Sequence, residues 1–187
     1  IRGAKRYILL AAYTLDHPEI VELVLEAGVP VYVMMDGPQH RRPMRTRHHQ
    51  ALDTLLSGRA TVSIRIVEGP LLDDLYGAGT GYKAPHHHKF VIVDGDLLLT
   101  GSFSFTAAAA RGPHENALTC RHPHILNLYG GEYRRIWEDE GTKVYEAVGV
   151  PRDHNPPELV PLATQARMPK RHLGQLFERC GERDGGV

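Results

Sequence analysis

Short apolar runs on either side of one amphipathic segment open the chain. The runs YILLAAYTL at 7–15 and VPVYVMMD at 29–36 are apolar at almost every position. Between them, residues 16–28 carry apolar side chains at helical spacing, with Asp16 as a candidate N-cap and Gly28 as a stop signal. A strand, a helix and a strand at this spacing predict a right-handed βαβ unit in a parallel sheet.

The pattern continues with two helices and four strands. Residues 40–58 are interpreted as a loop followed by a helix, and 61–67 alternates apolar and polar positions as a half-buried strand does. The runs FVIV and LLL flank DGD at 94–96, and their continuous apolar character predicts strands covered on both faces. ENALTC at 115–120 predicts another strand, and the segment at 123–140 predicts a helix.

The chain length suits one domain with a sizeable core. We predict this domain at 1–146, as an α/β fold whose mixed, largely parallel central sheet is flanked by helices on both faces. Prolines and charges from 147 onward predict a C-terminal tail at 147–187, of unknown role. The opening IRGAKRY reads as the end of a helix entering a strand, so we expect residues to precede Ile1, where a signal or anchor could lie.

The charge and composition of the chain exclude few classes of function. Lys plus Arg and Asp plus Glu number 22 each, so attraction to a polyanion must come from local clusters. No run of 18 apolar residues predicts a membrane span in this chain. The two cysteines match no zinc or redox spacing, and the cellular compartment stays undetermined.

The stretch APHHHKFVIVDGDLLLTGSFSFT, at 84–106, carries the candidate chemistry. Because side chains alternate along a strand, His87 and Lys89 share one face. If the turn consists of Gly95 and Asp96, or of Asp94 and Gly95, then Ser102 and Ser104 point to that same face. A three-residue turn would change the pairing register, and this argument would fail. A single histidine before a strand is usually only a polar strand end, but four compatible residues on one face favour a phosphate site.

This set of side chains suits attack on a phosphodiester. A neutral imidazole is a nucleophile that can form a phosphohistidine. Lys89 supplies positive charge for the nonbridging oxygens, and donors near Ser102 can stabilise charge in the transition state. The imidazole of His87 needs an acceptor on its other nitrogen, and Glu115 is the candidate.

At these residues the chain resembles the phospholipase D superfamily, whose signature is HxKxxxxD followed by GSxN. HHKFVIVD supplies His87, Lys89 and Asp94, and GSFS matches the second part except that Ser104 replaces the usual Asn. HENA then supplies Glu115 at the family's acidic position. The likeness covers about residues 1–145.

The resemblance implies an α/β/α sandwich and a role for each matching residue. His87 would be the nucleophile, Lys89 and Ser102 would hold phosphate, and Ser104 would make a second phosphate contact. Glu115 would polarise His87. Asp94 would belong to the catalytic set only in a supporting role at the strand end, since its parity places it off the phosphate face. The family needs no metal or other cofactor.

The family's active site uses two motifs, and this chain has one. We therefore expect a twofold homodimer in which one His87 attacks while its counterpart protonates the leaving oxygen. Single-motif members of the superfamily include small bacterial endonucleases and Zucchini-type enzymes. The cysteine-rich zinc insertion of the Zucchini type is not present in this sequence.

The segment HRRPMRTRHH at 40–49 makes nucleic acid the favoured substrate. It holds no acidic residue and follows the second strand, at the edge where open α/β sheets bind ligands. Phosphate contacts from its arginines would suit DNA or RNA, although a solvated basic loop is an equal interpretation. The candidate substrate-binding arginines are Arg41, Arg42, Arg45 and Arg47.

Two other hypotheses stay open. A phospholipid headgroup hydrolase would use an apolar lip, which GPLLDDLYGAG could supply through Leu71, Leu72, Leu75 and Tyr76. A histidine metal site or purely structural module would use the imidazoles of His86, His88, His122 and His124.

Overall fold

The architecture is given by a computed structural model, which describes residues 1–41, 47–57, 62–72, 79–112, 114–139, 143–146 and 156. The strands in these ranges are β1 Ile8–Ala12, β2 Val31–Asp36, β3 Val62–Val67, β4 Lys89–Val93, β5 Leu97–Gly101, β6 Ala117–Cys120 and β7 Lys143–Glu146. The helices are α1 Pro18–Leu25, α2 Gly37–His40, α3 Arg47–Ser57 and α4 Pro123–Trp137.

The strands form one mixed sheet in the order β6-β5-β4-β1-β2-β3-β7. The α/β class and the mixed sheet are confirmed, but the parallel share is smaller than expected. Among the described strands, parallel ladders join only β1, β2 and β3. The other ladders of the described strands are antiparallel. A short turn between β4 and β5 allows only antiparallel neighbours, whereas a parallel pair needs a longer crossover.

Helices cover both faces of the sheet, as expected. Val24 of α1 packs on one face in a cluster with Leu10 of β1, and α3 joins the same cluster. Trp137 and Tyr133 of α4 pack on the other face in a cluster with Leu9. Successive residues of β1 therefore enter opposite cores, which explains why the central strands are apolar at every position.

The turn between β4 and β5 departs from the predicted register. Val93 pairs with Leu97, so the turn has three residues and not two. Phe90 pairs with Thr100, which places Lys89 one step further along opposite Gly101, not opposite Ser102. The expected pairing was wrong because Asp94 takes a left-handed conformation, with φ 56°, and leaves the ladder.

The C-terminal segment 147–187 lies outside the described residues except for Pro156, which is buried. Its separation from the domain at 1–146 stays a prediction. No helix in the described ranges is both long and apolar enough to cross a membrane.

Candidate functional site

At one edge of the sheet, the ends of strands from distant parts of the chain lie close together. β1 and β2 run parallel and therefore end at this edge. β4 runs antiparallel to β1, with Lys89 opposite Ala12, so β4 begins where β1 ends. Residues just after β1 and β2 and just before β4 consequently surround one place, the edge where open α/β sheets bind ligands.

His87 and Lys89 are in direct contact at this edge. The Lys89 Nζ atom lies 3.1 Å from Nδ1 and 3.2 Å from Nε2 of His87. The ammonium also donates a hydrogen bond of 2.9 Å to the His87 carbonyl oxygen. Partial desolvation and then the Lys89 charge lower the pKa of His87, which favours the neutral imidazole that nucleophilic attack requires.

The pKa of Lys89 is lowered by partial burial, while the Glu115 carboxylate acts in the opposite sense and raises it. An acidic side chain is therefore close enough to act on the ammonium. A neighbouring carboxylate favours the charged form of the lysine, the form that can hold a phosphate oxygen.

Ser102 is locked to the segment before β6. Its hydroxyl donates to the Glu115 carboxylate and accepts from the Asn116 N–H at 3.0 Å. The Ser102 N–H donates to the Asn116 carbonyl oxygen at 3.1 Å. A Cβ at Gly101 would lie 2.2 Å from that carbonyl oxygen, so the glycine of the GSFS sequence permits this close approach. The hydrogen bond shown for Glu115 goes to Ser102, and its polarising role toward His87 stays a prediction.

Two other predicted site residues are not brought to His87 by the contacts in the structure. Ser104 lies in the turn after β5, where its carbonyl oxygen accepts from Thr106 N–H at 2.7 Å, and its phosphate contact stays a prediction. Asp94 follows the far end of β4, about 16 Å from Lys89 at the usual rise of an extended strand. This position agrees with the expectation that Asp94 lies off the phosphate face, and its supporting role in the catalytic set stays a prediction.

Asp94 instead fastens the N-terminal segment to the β4–β5 turn. Its carboxylate accepts backbone N–H groups of Lys5, Arg6 and Tyr7, the shortest at 2.7 Å from Arg6. Desolvation opposes ionisation, but these backbone donors and the Arg6 charge lower the pKa of Asp94 below its usual value. These hydrogen bonds hold the N-terminal segment against the turn.

The basic segment after β2 is partly neutralised. Arg41 forms an ion pair with Glu68, whose side chain is 7% exposed, and Lys83 lies 3.2 Å from the same carboxylate. Arg47 is exposed at the first residue of α3. Arg42 and Arg45 lie outside the described residues. The acid that pairs with Arg41 comes from the end of β3, which the local charge pattern could not show.

Sequence reasoning missed Asp36, the last residue of β2. Its side chain is completely buried, and its carboxylate oxygens accept from His86 N–H at 2.6 Å and Gln39 N–H at 2.8 Å. Burial raises the pKa of Asp36, while both hydrogen bonds act in the opposite sense. The available signal was an acidic residue ending an apolar strand directly before Gly-Pro, a typical helix N-cap pattern.

Sequence reasoning also missed Tyr13, which follows β1. The ring centroids of Tyr13 and His87 are 4.6 Å apart, and Lys89 Nζ lies 5.3 Å from the Tyr13 centroid. The Tyr13 hydroxyl accepts a hydrogen bond from the Gln39 side-chain amide. The signal was an aromatic residue at the end of a buried strand on the ligand-binding edge.

The other histidines form no metal site in the described residues, where no group of three His, Cys, Asp or Glu side chains could hold an ion. His86 is buried with its ring 5.4 Å from that of His88, and burial lowers its pKa to about 3. His122 and His124 are exposed at the start of α4. The histidine metal hypothesis lacks its third ligand within these ranges.

The predicted apolar lip is only partly described. Leu71 is 57% exposed and Leu72 is half-buried. Leu75 and Tyr76 lie outside the described residues.

Comparison with known proteins identifies relatives of this chain. The family model described as "Cardiolipin synthase, PLD-like domain" matches residues 1–137. A mitochondrial cardiolipin hydrolase of Xenopus laevis is 28% identical over 147 residues, which cover 76% of this chain and 60% of the relative. The corresponding protein of Xenopus tropicalis is 37% identical over 157 residues, with the same two coverages. The chain thus spans about 60% of the length of these curated relatives.

Two solved structures share the fold. NucT from Helicobacter pylori has a TM-score of 0.64 at 15% identity, covering 76% of this chain and 84% of that one. Nuc from Salmonella typhimurium, a phospholipase D family member, has a TM-score of 0.61 at 23% identity, covering 77% and 84%. At these identities the likeness is one of architecture.

Proposed function

This chain belongs to the phospholipase D superfamily of phosphodiesterases, since the PLD-like domain model matches its residues 1–137, and we propose that it is a nuclease acting through a covalent phosphohistidine. The observation that carries the proposal is the contact between the His87 imidazole and the Lys89 ammonium, with Nζ 3.1 Å from Nδ1. An imidazole with a lowered pKa beside a cation that can bind phosphate oxygens is suited to phosphodiester hydrolysis.

The proposed reaction has two displacements and uses no metal or other cofactor. In the first, a nitrogen of His87 forms a bond to phosphorus while the bond to the leaving oxygen breaks, and a second imidazole gives that oxygen a proton. In the second, water attacks phosphorus, the second imidazole takes its proton, and the nitrogen–phosphorus bond breaks. Lys89 and Ser102 hold the nonbridging oxygens throughout.

The second imidazole comes from a second copy of the chain. The sequence holds a single HxK motif, so His87 of another protomer is the natural proton donor. A twofold dimer places two such groups symmetrically around one phosphorus atom. Ser102 and Glu115 are exposed at the same edge, where an approaching copy can reach them.

Nucleic acid is the proposed substrate because cationic side chains stand at this edge. Lys89 stands beside the nucleophile, and the exposed Arg47 opens α3. Exposed cations of this kind bind the repeated phosphates of a nucleic-acid strand. Phospholipid is the second candidate, since the curated relatives are named mitochondrial cardiolipin hydrolases and Leu71 is 57% exposed.

The test compares wild type, His87→Ala and His88→Ala in excess chelator. The substrates are labelled single-stranded and duplex oligonucleotides and vesicles of phosphatidylcholine with cardiolipin. Wild type should cleave oligonucleotides, and His87→Ala should lose about 1,000-fold or more of kcat, as removal of a covalent nucleophile does. His88→Ala is the matched control, because its ring points toward Glu132, 3.8 Å away, and it should stay within about 3-fold of wild type.

If wild type hydrolyses only the phospholipid of the vesicles, and His87→Ala does not, the nuclease proposal is replaced by the lipid hydrolase. Equal activity of wild type and His87→Ala on every substrate would refute the nucleophile. Cleavage that is absent in chelator and appears only when a divalent metal exceeds the chelator would refute the metal-free reaction.

A further inference from the structure

We propose that Tyr13 is a positioning residue for the nucleophile: its ring fixes the plane of the His87 imidazole and supports the Lys89 ammonium beside it. This inference rests on the proposed phosphodiesterase reaction and adds a residue outside the HxKxxxxD and GSxN signature.

The three groups are in mutual contact. The Tyr13 and His87 ring planes meet at 59° with centroids 4.6 Å apart. The Lys89 Nζ atom is 5.3 Å from the Tyr13 centroid and 3.1–3.2 Å from the imidazole nitrogens. A cation within about 6 Å of an aromatic face is stabilised by the ring. Tyr13 therefore touches both members of the reactive pair.

His87 needs such support because it is exposed. Residue His87 lies in the segment before β4 and is not packed in either core. The second side-chain torsion of histidine has a broad energy profile, so an unsupported ring can turn its nitrogens away from phosphorus. The Tyr13 ring restricts this rotation from one side.

Tyr13 is itself held by a chain of hydrogen bonds that returns to the nucleophile. Its hydroxyl accepts from the Gln39 side-chain amide, and the Gln39 backbone N–H donates to Asp36 at 2.8 Å. The other oxygen of Asp36 accepts from His86 N–H at 2.6 Å, one residue before His87. The completely buried Asp36 thus fixes both the backbone of the nucleophile and the helix α2 that holds Tyr13.

Loss of the ring should act on turnover more than on binding. Small misplacements of a reacting group can cost about 100-fold in rate. We expect Tyr13→Leu to lower kcat by about 10–100-fold with KM within about 3-fold of wild type. Tyr13→Phe keeps the ring and loses only the bond to Gln39, and should retain kcat within about 3-fold.

A pH titration separates positioning from a general loss of stability. In the described residues, the titratable groups that face Lys89 are His86 and His87 from the segment before β4, Tyr13 after β1 and Glu115 from the segment before β6. The Tyr13 ring favours the protonated ammonium, so its loss should lower the Lys89 pKa. The Lys89 pKa, measured by NMR titration of its side chain, should then be lower in Tyr13→Leu and unchanged in Tyr13→Phe.

The experiment follows hydrolysis of bis(p-nitrophenyl) phosphate, a simple phosphodiester, by the 187-residue protein. Tyr129→Leu is the control for removal of an aromatic ring, since Tyr129 packs against Phe90 at 5.1 Å on the face of α4. That variant should show a lower melting temperature with unchanged kcat and Lys89 pKa. Imidazole nitrogen NMR of His87 provides a readout that needs no turnover, and its signal should shift in Tyr13→Leu alone.

Unchanged kcat, Lys89 pKa and His87 signal in Tyr13→Leu would overturn the inference. Equal damage from Tyr13→Phe and Tyr13→Leu would also overturn it, because the hydroxyl and not the ring would then matter. Different results would refute the proposed function itself. These are no hydrolysis by wild type, or equal activity of wild type and His87→Ala.

Discussion

Three adjacent histidines before β4 have different surroundings, which decides which of them can react. His86 is 5% exposed and its backbone is held by Asp36. His88 faces Glu132 at 3.8 Å. His87 alone of the three is exposed beside the Lys89 ammonium. Two features account for the different surroundings of the three histidines: side chains alternate in direction along the segment, and buried Asp36 holds the His86 backbone.

The Lys89 charge should be measurable in the titration of His87. In the wild type, desolvation and Lys89 lower the pKa of His87 below 6.5. Removing the cation in Lys89→Met removes one of these causes, so the pKa should rise toward its usual value. Activity requires the neutral imidazole, so the acid limb of kcat/KM in wild type should lie below pH 6.5.

Histidine NMR titration of wild type and Lys89→Met measures both pKa values even where turnover is lost. Lys83→Met is the control, because Lys83 pairs with Glu68 at 3.2 Å. A His87 pKa that is equal in wild type and Lys89→Met would contradict the contact described at this site.

At the scale of elements, most of the strands could be predicted because short, continuous apolar runs are typical of strands covered on both faces. α2 was missed because four residues carry no periodic pattern, and its helix depends on the Asp36 cap and a proline in its first turn. β7 was missed because it pairs with β3 only through distant chain contacts. The β4–β5 register was wrong because the conformation of Asp94 depends on Lys5, Arg6 and Tyr7.

Asp94→Ala should lower stability without changing the chemistry. The variant leaves the N–H groups of residues 5–7 without their carboxylate acceptor, which should cost about 1–2 kcal/mol at an exposed site. The pKa of Asp94 is lowered in the folded protein, so its contribution is present above pH 3.8 and is lost as pH falls below that value. The value of kcat should stay within about 2-fold.

Urea denaturation at neutral and acidic pH measures this difference. Asp96→Ala is the matched control in the same turn, because Asp96 makes only an exposed ion pair with Arg121 at 3.3 Å in the contacts described. It should change stability by about 0.5 kcal/mol or less. Equal effects of the two substitutions, or a large loss of kcat in Asp94→Ala, would contradict the structural role.

At the scale of the whole molecule, the site is an assembly of strand ends, and only its local part could be predicted. The spacing of His87, Lys89 and Ser102 within one stretch carried the resemblance to the phospholipase D superfamily, and the family match confirms it. Tyr13 and Asp36 reach the same edge only through the order β4-β1-β2, which no local pattern encodes. The choice between nucleic acid and lipid likewise depends on surfaces beyond the motif.

The proposed dimer makes the reaction a property of two chains. One His87 attacks and its counterpart handles the proton, so a single phosphorus atom is shared by both. At most one of the two imidazoles can then carry a phosphoryl group at a time.

Trapping the phosphorylated enzyme tests the central claim most directly. The protein is mixed with a phosphorus-labelled oligonucleotide, and the reaction is stopped within one turnover by alkali, in which phosphohistidine is stable. Peptide mass spectrometry then locates the label. We predict a label on His87, at no more than one per two chains, and none in His87→Ala. Turnover with no label on His87, or with the label on another residue, would contradict the account.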